Sequence, residues 1–206
     1  MRPEPDFIHE FIPGDSPRTL LLLHGTGGNE RDLIPLGREL DAKAALLSPR
    51  GKVLENGMPR FFRRFAEGVF DLEDLKYRTN ELADFVTAAA QHYEFATDQL
   101  VAVGYSNGAN IAASMLLLRP ELLPTAILFR VMVPLHPEKE PNLSSVRVWI
   151  GAGDHDPIVP VSETKRLAEL LRRAGADVTI RFATAGHGLT NDDLEAARHW
   201  VEELKP

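Results

Sequence analysis

A serine sits at the centre of Gly104-Tyr105-Ser106-Asn107-Gly108, directly after the apolar run Leu100-Val101-Ala102-Val103 and at the opening of a helical pattern. A strand that turns sharply into a helix around Gly-x-Ser-x-Gly is a nucleophile elbow. A Cβ two residues before or after the serine would collide with the neighbouring strand or helix, so glycines permit the turn and the hydroxyl is held clear of the fold. A serine hydroxyl is a weak nucleophile at neutral pH. It needs a neutral imidazole beside it, and a carboxylate to fix the tautomer of that imidazole and stabilise its protonated form. The chemistry to look for is therefore acyl transfer.

His187 lies between Gly186 and Gly188, beyond the last apolar run and before the last helical pattern, in a loop able to bring the ring back over a sheet. The rival histidines fit less well. His199 falls inside an amphipathic helix, His136 precedes the acid in the chain, and His155 stands within the acid loop itself. The order serine, acid, histidine selects His187. For the acid, the run Val146 to Gly151 ends in Gly151-Ala152-Gly153-Asp154-His155-Asp156-Pro157-Ile158-Val159-Pro160, which offers two aspartates at a sheet edge where open α/β sheets bind ligands. Local physics barely separates them; Asp154 is expected to be the one that hydrogen-bonds its own Gly- and Pro-rich turn.

A fourth element, His24-Gly25-Thr26-Gly27-Gly28, follows the apolar run Leu20 to Leu23. Glycines let the main chain approach a developing oxyanion, and the expected donors are the backbone N–H groups of Thr26 and Asn107. A nucleotide site is disfavoured, because Glu30 stands where the dinucleotide fingerprint requires its last glycine and no Walker lysine follows. No His-Glu-x-x-His or comparable spacing is present, so no metal and no cofactor are expected.

Composition narrows the classes further. A formal charge of -7 excludes non-specific attraction to nucleic acid or to an anionic membrane. The absence of cysteine removes disulfides, thiolate metal sites and Cys nucleophiles. No stretch approaches the ~18 apolar residues of a membrane span, and Met1 to Asp6 lacks the apolar centre of a leader, which makes the cytoplasm the expected location. At 206 residues and 44% hydrophobic content, one domain over 1–206 is expected.

Elements able to position these groups are legible as periodicities. Strands are predicted at Phe7 to Ile12, Leu20 to His24, Ala44 to Ser48, Leu100 to Val103, Ala126 to Val131, Val146 to Gly151 and Val178 to Phe182. Helices are predicted at Glu30 to Asp41, Leu72 to Glu94, Asn107 to Arg119, Ser162 to Ala174 and Asp192 to Leu204, with Thr190 and Asp193 as an N-cap signal for the last. Alternating strands and helices, with strands apolar on consecutive residues, predict an α/β fold with a mostly parallel central sheet covered on both faces. Pro49 to Phe70 fits neither period and reads as an insertion over the sheet.

With these parts in order, the chain from about residue 15 to 204 resembles the carboxylesterase/phospholipase branch of the α/β-hydrolases, which includes small esterases similar to acyl-protein thioesterases. The resemblance rests on His24 to Glu30, Gly104 to Asn110, Asp156-Pro157-Ile158-Val159-Pro160 and Gly186-His187. It implies the α/β-hydrolase fold and places the triad acid immediately before a Pro-x-Val-Pro element, at Asp156. The stretches Ser48 to Gly51 and Asn56 to Phe62 also resemble a bacterial subgroup of esterases, some linked to hydroquinone or metal stress. Two positions depart from the thioesterases, which usually carry Ser-Gly after the strand that here ends Phe129-Arg130-Val131-Met132 and commonly Gln where Asn107 stands; protein deacylation is disfavoured. Small hydrolases of this kind often form homodimers.

Met58, Phe61, Phe62, Phe65 and Phe70, interleaved with Arg60, Arg63 and Arg64, predict a short lid over an acyl pocket; the competing reading is that they merely cover the sheet while the arginines snorkel. Met58, Arg60, Phe61 and Arg130 are the substrate-binding candidates, and an arginine at the mouth would favour an ester carrying an anionic group. The expected activity is serine carboxylester hydrolysis of small soluble esters, with thioesterase or lysophospholipase chemistry on the same triad, or a non-catalytic binding scaffold, as alternatives.

Overall fold

The computed structural model describes residues 5–204. Residues 1–4, most of the Met1 to Asp6 stretch, and the last two residues lie outside it. In chain order the elements are β1 His9–Ile12, β2 Thr19–Leu23, α1 Ile34–Leu40, β3 Ala45–Pro49, β4 Val53–Glu55, β5 Met58–Arg60, β6 Arg64–Ala66, β7 Val69–Phe70, α2 Leu72–Tyr93, β8 Leu100–Tyr105, α3 Asn107–Leu118, β9 Thr125–Phe129, β10 Arg147–Gly153, α4 Val161–Arg173, β11 Asp177–Ala183 and α5 Asn191–Glu203. The main sheet has seven strands in the order β1-β3-β2-β8-β9-β10-β11, parallel throughout except for the antiparallel edge pair β1–β3. These are the seven strands expected, joined by the five helices expected.

β2 shows why apolar runs replace alternation here. Leu21 and Leu23 pack into a core under α2, α3 and α4, while Leu20 and Leu22 pack into a second core under α1 and α5. Successive side chains point to opposite faces, so a strand covered on both sides must be apolar at every position. No helix among the described residues is long and apolar enough to cross a membrane.

Two boundaries differ instructively. The first helix begins at Ile34 and not at Glu30, because the buried Glu30 carboxylate is drawn into a two-pronged bond with Arg50, at 2.6 Å to Nε and 2.8 Å to Nη2. Pro35 then sits in the first helical turn, where its missing N–H costs nothing. The insertion after β3 folds into two short antiparallel hairpins, β4–β5 and β6–β7. Phe61 and Phe62 are buried in the main core, as the sheet-covering reading expects, whereas Phe65 is 76% exposed at the second hairpin.

Candidate active site

Every singled-out loop leaves the carboxyl edge of the parallel sheet: Thr26 after β2, Ser106 after β8, Arg130 after β9, Asp154 and Asp156 after β10, and His187 after β11. This edge is where side chains remote in sequence converge in such sheets. Ser106 holds φ 53° and ψ -113°, a conformation costly by about 1–3 kcal/mol for a residue with a Cβ. The flanking glycines make the turn feasible. A Cβ on Gly108 would stand 1.9 Å from the Leu23 carbonyl oxygen, and one on Gly104 would stand 2.6 Å from the Ala109 backbone. The serine N–H donates to Phe129 O at 2.9 Å, which ties the strained turn to β9.

The structure brings Ser106, His187 and Asp156 together. Ser106 Oγ lies 2.9 Å from His187 Nε2, and Asp156 Oδ2 lies 2.8 Å from His187 Nδ1. A carboxylate only accepts, so Nδ1 carries the proton and Nε2 offers its lone pair to the hydroxyl. The other Asp156 oxygen accepts from the Ile158 and Val159 N–H groups at 2.8 and 3.0 Å. Asp154 behaves differently from the turn residue expected. Its carboxylate reaches across to the histidine loop, taking the Ala185 N–H at 3.2 Å and the Thr184 hydroxyl at 3.4 Å. The self-bonding turn role belongs to Asp156, which also meets the imidazole.

The N–H groups of Thr26 and Asn107 donate to no protein acceptor among the described residues. Both segments are held by the insertion. Pro59 O accepts from the Gly27 N–H at 2.9 Å, Arg60 Nη1 donates to Thr26 Oγ1 at 2.7 Å, and the Phe61 N–H donates to Asn107 Oδ1 at 2.7 Å. Gly27 has φ +83°, a left-handed conformation that suits glycine.

His24 completes this support. Its Nε2 accepts from the Gly51 N–H at 3.0 Å, so the proton is on Nδ1, which donates to Gly25 O at 2.7 Å. Burial pulls its pKa below the ordinary 6.5, partly opposed by the bond to the Gly25 carbonyl. Below about pH 6.5 the unfolded chain then binds a proton that the folded chain resists, and stability falls as pH falls. The expected result is a urea midpoint that drops from about pH 7 to about pH 5, with a shallower drop in His24→Gln, whose side-chain oxygen still accepts from Gly51. Equal slopes in the two proteins would remove His24 from this account.

The substrate-binding candidates differ in how the surrounding structure engages them. Arg130 lines the cleft beside Ser106, but its side chain is 0% exposed and its guanidinium is paired with Asp193 at 2.6 Å. Phe61 is buried against the His24 ring, 4.7 Å between centroids, because its backbone must reach Asn107. Arg60 borders the cleft beside Ser106, but its guanidinium is committed to Thr26, Glu55 and the Phe62 carbonyl. Met58, 42% exposed, is the nearest side chain to the position a Cβ on Gly27 would take. Asn110 and Met132, which the sequence did not mark as site residues, line the same cleft together with Arg64 of the expected lid.

A family model described as the dienelactone hydrolase family matches residues 63–203, a span that includes Ser106, Asp156 and His187. The chain belongs to the dienelactone hydrolase family. Full-length similarity extends the match to the Thr26 loop: MhqD of Bacillus subtilis (strain 168), a protein named only as a hydrolase, is 49% identical over 195 residues, covering 95% of this chain and 98% of that protein. The crystal structure of a Bacillus cereus carboxylesterase superposes with a TM-score of 0.94 at 48% identity, covering 96% of this chain and 94% of the other. A carboxylesterase from Mesorhizobium loti gives 0.88 at 32% identity, covering 93% and 91%. This member of the dienelactone hydrolase family thus has the α/β-hydrolase fold and carboxylesterases among its structural neighbours.

Proposed function

We propose that the chain is a serine carboxylester hydrolase that cleaves small soluble esters through an acyl-enzyme. The observation that carries this reading is the unbroken line from Asp156 to His187 to Ser106, with hydrogen-bond distances of 2.8 and 2.9 Å. Ser106 Oγ attacks the ester carbonyl carbon as its proton passes to His187 Nε2, and the carbonyl oxygen becomes an anion facing the free N–H groups of Thr26 and Asn107. The imidazolium returns that proton to the departing alkoxide, leaving the acyl group on Ser106. Water, deprotonated by the same imidazole, then attacks the acyl carbon, and the imidazolium gives that proton to Ser106 Oγ as its bond to the acyl carbon breaks and the acid departs. Asp156 holds the ring in the tautomer both halves require.

The cleft beside Ser106 supports small acyl groups over long ones. It is narrow, about 30 Å³ between Arg60, Arg64, Phe70, Asn107, Asn110 and Met132, and opens to solvent. A long acyl chain would have to displace the β6–β7 hairpin, which argues against thioesterase or lysophospholipase action on long chains. Labelling with a fluorophosphonate probe, competed by a panel of p-nitrophenyl esters of increasing acyl length, tests both points. A reactive serine protected best by the shortest esters is the expected result. No labelling at Ser106 would leave a binding scaffold in its place.

A further inference from the structure

Glycines flank His187 on both sides, yet space does not require them. A Cβ on Gly186 would meet nothing closer than 3.9 Å, and one on Gly188 would meet nothing within 4 Å. The loop that carries the imidazole is therefore intrinsically loose, and its position must come from outside. Three successive carbonyls supply the hold: Gly186 O accepts from Arg130 Nε at 3.1 Å, His187 O from the Tyr105 hydroxyl at 3.1 Å, and Gly188 O from Arg130 Nη2 at 2.8 Å.

We propose that Arg130 and Tyr105 are positioning residues for the general base, a two-armed clamp that fixes His187 by its backbone from both sides. The proposal rests on the serine hydrolase reading above. It explains three features that the triad alone leaves unused. Arg130 is a fully buried charge at the end of an apolar strand, and it has φ 56°, a left-handed conformation that arginine seldom adopts. Its own N–H donates to Gly151 O at 2.8 Å, which docks the turn onto β10. Asp193, also 0% exposed, accepts from Nη1 at 3.2 Å and Nη2 at 2.6 Å, so the guanidinium is neutralised and oriented as a fork, with the remaining donors turned to the loop.

The same Asp193 oxygen accepts from the Thr190 N–H and hydroxyl, both at 2.9 Å, closing the capping box of α5. The far end of the histidine loop is thereby tied to the same pair. Hydrogen bonding to Arg130 and Thr190 holds the Asp193 carboxyl below its ordinary value despite its burial, and burial pushes the Tyr105 phenol up, keeping its O–H as a donor. Tyr105 stands directly before the nucleophile, so one side of the clamp is built into the elbow itself.

The test compares Arg130→Met/Asp193→Asn with Arg130→Lys and Tyr105→Phe. The double variant removes both buried charges together and retains an Asn that can cap α5, so it leaves no uncompensated charge to unfold the protein. Two readouts serve: kcat and KM per site titrated with a fluorophosphonate, and the low-field proton resonance of the His187 Nδ1–H, assigned by its loss in His187→Gln. The expected result is a melting temperature near that of the wild type, kcat per titrated site lower by about 100-fold, KM changed less than about threefold, and a broadened imidazole resonance. Arg130→Lys, able to keep the carboxylate and one carbonyl, should recover part of the rate, and Tyr105→Phe should lose only a few-fold.

Rates per titrated site within about threefold of wild type, with a sharp imidazole resonance, would overturn the clamp. So would a rate that falls only as the number of titratable sites falls, since that is a folding effect. Turnover that survives in Ser106→Ala would instead overturn the hydrolase reading, and the resonance would still judge the clamp.

Discussion

Ser106→Ala is expected to lower kcat for a short p-nitrophenyl ester by roughly 10⁵- to 10⁶-fold, with KM little changed. The substitution removes the atom that bonds to the acyl carbon, while the Thr26 and Asn107 N–H groups and the cleft walls stay in place. Some acceleration over water should therefore survive, carried by oxyanion stabilisation and binding alone. Residues that act as a unit are non-additive, so Ser106→Ala/His187→Ala should be about as slow as the single variant. Steady-state rates on protein shown to be folded by its melting temperature provide the measurement. Ser106→Ala activity within tenfold of wild type would mean that another group performs the attack.

The backbone strain at Ser106 sharpens this prediction. A left-handed φ at a serine is held by the surroundings: Gly104 and Gly108 give room, and Phe129 O takes the serine N–H. Alanine can occupy the same geometry, since the strain belongs to the Cβ and not to the hydroxyl. The loss should thus be chemical, with little change in stability.

What the sequence revealed, and what it hid, follows from which atoms make each contact. Strands buried on both faces and helices with an apolar stripe leave side-chain patterns, so all seven strands of the main sheet and all five helices were legible within a few residues. Ser106, His187 and the pair Asp154/Asp156 were legible for another reason: triad chemistry restricts residue type and chain order. The supporting shell was not, because much of it is backbone. The N–H groups of Gly51 and Phe61 and the carbonyl of Pro59 hold His24, Asn107 and Gly27, and any residue would supply them.

Arg130 illustrates the complementary case. A charge at the end of an apolar strand suggested a binding-site mouth, and Arg130 does line the cleft beside Ser106, but its partner Asp193 stands 63 positions away and advertised itself only as a helix cap. A capping aspartate and a buried counter-ion share one local signature. The two roles separate only when the fold brings β9 beside the start of α5.

Asp156→Asn is expected to lower kcat by about 10⁴-fold, whereas Asp154→Asn should cost less than about tenfold. Both aspartates touch the histidine loop, so proximity alone would not rank them. Only Asp156 meets the ring, at 2.8 Å to Nδ1. An asparagine there can turn its amide N–H₂ toward Nδ1, which then accepts and leaves the proton on Nε2, the wrong side for deprotonating Ser106. Its oxygen can still take the Ile158 and Val159 N–H groups, so the turn itself should persist. Asp154 instead orders the backbone at Ala185 through its Oδ1, a bond that the asparagine oxygen can reproduce. Measured side by side on one ester, the two variants decide the assignment: equal losses, or a larger loss at Asp154, would transfer the orienting role and with it the geometry on which the proposed mechanism stands.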